Sequence, residues 1–189
     1  MPSKSRRDTD LRRRVNTREQ RRSVLIMTNG KETEFDYFNA LRDEPWITAH
    51  VQVKFKNGGP AAAVLRAATF REEEEYDEAW AVCDVDAFDV KQALAHADAH
   101  EVGLTLSVPC FEVWLILHLS VGCPGFNNAG QAGAHLRKLL PTWDKTALSF
   151  DDFRAGVFDA TARAKRLEDP PDANPSTAIW RLIDSLRGS

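Results

Sequence analysis

Four short apolar runs, each followed by a stretch of helical periodicity, limit what this chain can fold into. VLIM (24–27), HVQVKF (50–55), AWAVC (79–83) and LTLSV (104–108) are separated by segments long enough to hold a helix. Phe35, Phe38 and Leu41 share one face of a helix over 33–42, and Val64, Leu65 and Ala68 share a face within 61–75. Val90, Ala93, Leu94 and Ala97 recur at i, i+3, i+4 and i+7, the signature of a third helix. Repeated strand–helix units predict an α/β fold with a mostly parallel four-stranded sheet and helices on both of its faces. Sheets of this kind hold their sites beyond the carboxyl ends of the strands.

After Pro109 the pattern changes. CFEVWLILHL (110–119) reads as a strongly apolar helix, and GCPGFNNAG (122–130) as a loop. Ala132, His135, Leu136 and Leu139 mark one further helix, and Phe153, Val157, Ala160, Ala164 and Leu167 mark another. EDPPDANPST (168–177) reads as a linker, with Asn174 capping a last helix and Pro175 at its first position. The expected organisation is a basic flexible arm over 1–23, an α/β core over 24–121 and a helical C-terminal extension over 122–189, packed on the core.

Charge is unevenly distributed. Residues 1–23 hold nine basic and three acidic side chains, a balance of +6, so the rest carries −9 of the net −3. An arm so rich in arginine and poor in apolar residues cannot fold alone. It reads either as a solubility tail or as a grip on nucleic-acid phosphates through Arg12, Arg13, Arg14, Arg21 and Arg22. No apolar stretch approaches the roughly 20 residues of a membrane span, and the basic start lacks the apolar segment of a secretory signal. The cysteines Cys83, Cys110 and Cys123 show no metal-binding spacing. Together these features lead us to expect a reduced, cytoplasmic setting without membrane contact.

Three strand ends carry polar groups: Thr28-Asn29-Gly30, Asp84-Val85-Asp86, and Ser107-Val108-Pro109 ahead of Glu112. Asp84 and Asp86 stand where a buried strand ends, and two such carboxylates can share one hard divalent ion, Mg2+ or Mn2+. The bland alternative is a solvated turn. Asp89 is a third nearby carboxylate that could instead cap the helix starting near Val90. Glu112, in the first turn of its helix, is either a response to the helix dipole or a further metal ligand or general base. His118 reads as a core histidine with a hydrogen-bond partner, and Cys110 as a buried thiol rather than a nucleophile. The loop TNGKETE (28–34) could hold an anion through Lys31 and the free amides of the following helix, which Thr33 could otherwise cap.

SVLIMTNGKETEFDYFNALR, AWAVCDVDAFD, SVPCFEVWLILHL, KLLPTWDK and NPSTAIWRLIDSL occur in the order found in the RloB-like family, which the chain resembles over nearly its full length. The domain of that family is similar to the Toprim fold. The resemblance implies a magnesium-dependent nuclease acting on RNA or DNA phosphodiesters within a phage-defence or restriction system, with a protein partner or self-association as further expectations. It implies catalytic roles for position 29, Asp84, Asp86 and Glu112, with the three carboxylates as metal ligands. The family pattern places a glutamate at position 29, where this sequence has Asn29. An amide can still offer a neutral oxygen to a metal, but it cannot act as a base. Glu32 or Glu34 could substitute only by turning back from the helix. A non-catalytic binding subunit of a defence system is the rival reading. A sugar-nucleotide enzyme would need a glycine-rich phosphate loop, which is not evident. An aspartyl phosphatase would want its DxD after the first strand.

Overall fold

The computed structural model describes residues 21–85 and 90–188. β1 (Ser23–Thr28), β2 (His50–Phe55), β3 (Glu78–Asp84) and β4 (Gly103–Val108) are parallel neighbours, and β5 (Ser176–Thr177) closes one edge antiparallel to β4. The order across the sheet is β2-β1-β3-β4-β5. The helices are α1 (Thr33–Leu41), α2 (Pro60–Glu73), α3 (Lys91–Ala99), α4 (Glu112–Leu119), α5 (Ala129–Leu139), α6 (Asp151–Arg154), α7 (Val157–Ala164) and α8 (Ile179–Arg187). The mostly parallel α/β sheet read from the sequence is present, and so are the C-terminal helices. Among the described residues, no helix is long and apolar enough to cross a membrane.

The fifth strand is an addition to the four expected. The Asn174 amide forms both of its bonds with the Phe126 backbone, accepting from its N–H at 3.1 Å and donating to its carbonyl at 2.7 Å. It is therefore not a helix cap. Ser176 and Thr177 pair with Val108 and Ser107, and the last helix starts only at Ile179. The helix read over 153–167 is likewise two pieces, α6 and α7, with Gly156 between them. A Cβ at Gly156 would lie 2.6 Å from the His118 carbonyl oxygen and 2.9 Å from its Cβ, so the break lets the chain approach the end of α4.

The two faces of the sheet bury different side chains. Leu25, Met27, Ala81 and Cys83 face α2 and α3 across a thin layer of alanine and valine. Val24, Ile26 and Val82 face a thicker layer that joins Tyr37 and Phe38 of α1 to Phe111, Trp114 of α4, Phe153 of α6 and Ile183 of α8. The apolar run of α4 is buried along almost its whole length because helices and sheet enclose it on all sides.

From β1 the chain crosses to β2 on one side, and later passes from β3 to β4 on the other. Connections leaving β1 and β3 therefore diverge and open a crevice at their carboxyl ends.

Candidate functional site

The crevice holds the polar residues of the first and third strand ends. Thr28 pairs with Val82, so Asp84 projects two residues further along β3. The Asn29 backbone N–H continues the ladder to the Val82 carbonyl at 3.2 Å. A cavity of about 240 Å³ follows, walled by Asn29, Lys31, Glu34, Asp84 and Lys145 among others.

Glu34 belongs to the first turn of α1, yet it is buried and turns back over the loop. A side chain at Gly30 would collide with its carboxylate; glycine there leaves room for the fold-back. Burial, reinforced by the charge of Glu112, raises the Glu34 carboxyl above its ordinary value of 4.5. Asp84 is half-buried. It is raised well above 3.8, first by desolvation and then by the charges of Glu34 and Glu112. Glu112 is 2% exposed and accepts a hydrogen bond from Lys145 Nζ at 3.0 Å. Three carboxylates from α1, β3 and α4 thus feel one another's charge in one crevice.

Lys145 supplies the counter-charge. It lies on the segment between α5 and α6, and Thr33 Oγ1 donates to its backbone carbonyl at 3.0 Å. Thr33 ties this segment to α1 rather than capping the helix, which has no side-chain cap. Burial works against the Lys145 ammonium, but the charges of Glu112, Glu34 and Asp84 outweigh it and its pKa is raised.

Sequence reasoning had marked Asn29, Lys31, Asp84 and Glu112, and the structure brings these four to one edge. Asp86 and Asp89 lie outside the described residues, as do Arg12, Arg13 and Arg14. Arg21 and Arg22 sit instead at the amino end of β1, the far edge of the sheet from the crevice. Arg22 bonds to Glu78 at 2.8 Å and to the Ser185 carbonyl at 2.5 Å. Lys145 was missed, although KLLPTWDK was among the segments shared with the RloB-like family. Cys110 is buried and its thiol is pushed up by burial and by the neighbouring Glu112, so it stays protonated.

The profile of the RloB-like protein family matches residues 24–186. The chain belongs to the RloB-like family. Its matched region runs from β1 to α8. No curated protein and no solved structure matches the chain significantly.

The chemistry of the donors suits a hard divalent cation. Carboxylate oxygens are what magnesium and manganese take, and Asn29 Oδ1 is buried with no hydrogen-bond partner. A buried carbonyl oxygen left unpaired costs free energy, and a cation would relieve it. Among the described residues, no three Asp, Glu, His or Cys side chains are close enough together to enclose an ion as they stand.

Proposed function

We propose that this RloB-like protein is a Toprim-related, metal-dependent nuclease whose reaction centre is the crevice between β1 and β3. The observation that carries the reading is the convergence of Glu34, Asp84 and Glu112 beside the orphaned Asn29 oxygen. Buried carboxylates that feel one another's charge resist ionising together unless a cation joins them. By closing around it, Asp84, Glu34 and Glu112 would hold Mg2+ or Mn2+, with Asn29 as a neutral donor and Asp86 as a further candidate. A bound divalent ion would polarise the phosphate and stabilise the leaving oxygen.

The chain's own residues divide the remaining work. Lys31 and Lys145, both lining the cavity, offer positive charge to phosphate oxygens. Lys145 also holds Glu112 in place through its hydrogen bond. Glu34 is the buried carboxylate nearest in the chain to position 29. Left unligated, it would serve as the general base, its carboxyl raised by burial. The Arg-rich segment 1–23 would add sequence-independent affinity for nucleic acid.

Asn29 also supports a second reading, a nucleic-acid-binding subunit that has lost turnover. Cleavage assays on tRNA, single strands and duplexes with magnesium or manganese separate the two. Asn29→Glu restores a carboxylate at the end of β1. The expected result is slow cleavage by the natural sequence, a gain of about 10²-fold or more in Asn29→Glu, in line with general-base contributions, and loss in Asp84→Asn. Robust cleavage indifferent to both substitutions would place the chemistry elsewhere. No cleavage by either protein, with nucleic-acid binding intact, would favour the subunit reading.

A further inference from the structure

We propose that a second, smaller cavity beside the crevice is a nucleobase subsite, a proposal that rests on reading the crevice as a phosphodiester site. The cavity has a volume of about 140 Å³ and is lined by Glu112, Ala129, Gly133, Arg137, Trp143 and Lys145. Lys145 walls both spaces, so a nucleotide with its phosphate in the crevice can extend its base past this side chain. The volume is well below the ~300–1,000 Å³ of pockets for larger ligands, which suits a single ring system.

The walls select the chemistry of the occupant. Trp143 is 5% exposed, and its indole Nε1 is buried with no hydrogen-bond partner. Arg137 packs over the Trp143 ring at 5.0 Å, and α5 presents Gly133 to the same ring, where even a Cβ would be only 3.5 Å away. The indole is thereby fixed, and its N–H is a donor waiting for an acceptor. Glu112 contributes a buried carboxylate to the lining. A purely apolar occupant would leave the indole N–H unpaired, which is costly in a buried place. A phosphate would meet the Glu112 charge. A nucleobase edge answers both walls, since its carbonyl or ring nitrogen accepts from Trp143 while its amino or imino N–H donates to a carboxylate.

The test is competition binding with the full chain, using calcium in place of magnesium to hold back cleavage. A labelled single strand is displaced by nucleoside 3′,5′-bisphosphates of each common base or by the abasic sugar bisphosphate. At least one nucleoside bisphosphate should bind about five- to a hundred-fold more tightly than the abasic sugar, the range set by typical base contacts in single-strand sites. That preference should vanish in Trp143→Phe, which removes the N–H and keeps a ring. It should vanish equally in Ala129→Phe, which fills the cavity from the half-buried first residue of α5. No preference over the abasic sugar, or a preference that survives both substitutions, overturns the subsite and leaves the crevice reading standing. Failure of the protein to bind the labelled strand at all overturns the crevice reading and the subsite together.

Discussion

The two ends of α4 bury ionisable groups about two turns apart and treat them in opposite ways. At the last turn His118 is fully served. Its Nδ1 faces the Trp114 carbonyl at 2.8 Å and its Nε2 faces the Tyr37 hydroxyl at 3.0 Å. Around it stand the rings of Trp114, Tyr37 and Phe153. At the first turn Glu112 has one lysine to share with Glu34 and Asp84, whose carboxyls are both raised, and an unpaired amide oxygen lies nearby. A core that can satisfy a buried imidazole so completely can satisfy buried carboxylates too. Where it leaves them mutually repelling, at a sheet edge open to solvent, the arrangement is suited to an incoming cation. His118 supports packing, and the Glu112 end is the one on which the proposed function rests.

The largest effect separating the two ends is acid sensitivity. Burial pushes His118 down to about 4 from its ordinary 6.5. Below pH 6.5 the unfolded chain takes up a proton that the folded one refuses, so stability falls until about pH 4. Across that interval, at about 1.36 kcal/mol per pH unit, the loss approaches about 3 kcal/mol. Urea titrations at pH 7 and pH 4.5 on the protein and on His118→Leu measure it; a natural protein that loses no more than the variant would show that His118 is not held neutral by the fold.

Next in size is Tyr37→Phe. It keeps the ring contacts with Phe38, Phe111 and Phe150 and strands the His118 Nε2 acceptor, at an expected cost of about 1–3 kcal/mol. A variant as stable as the natural protein would mean that water or another group serves that nitrogen.

The smallest effect has the opposite sign. Asp84 and Glu34 are raised, so as pH climbs above their ordinary values of 3.8 and 4.5 the fold must carry charges that it disfavours, and stability falls. Asp84→Asn removes one of these charges. It should stabilise the metal-free protein at pH 7 by about 0.5–2 kcal/mol, as removing functional strain commonly does, while abolishing cation binding. Destabilisation by Asp84→Asn, read by thermal unfolding, would identify Asp84 as a structural residue like His118.

The same contrast explains what the sequence could and could not disclose. Asp84 was legible because it ends an unbroken apolar run, and a charge there marks a strand end. His118 was legible because apolar residues surround it in the chain itself. Glu34 was half legible: its place near α1's start was clear, but its reversal over Gly30 depends on a side-chain direction that spacing does not encode. Lys145 is 33 residues from Glu112, and tertiary contacts such as the bond from Thr33 to its carbonyl bring it into the crevice. The two-residue β5 is too short for any periodicity, and Asn174, so apt as a cap, is taken by Phe126.

Calorimetric titration of the full chain with Mn2+ at pH 7 bears most directly on the crevice as a metal centre. Binding is expected in the natural protein, lost in Asp84→Asn, weakened in Glu34→Gln and tightened in Asn29→Glu, while Tyr37→Phe leaves it unchanged. Binding that survives the Glu34→Gln/Asp84→Asn double substitution, or that is absent from both the natural protein and Asn29→Glu, would contradict it.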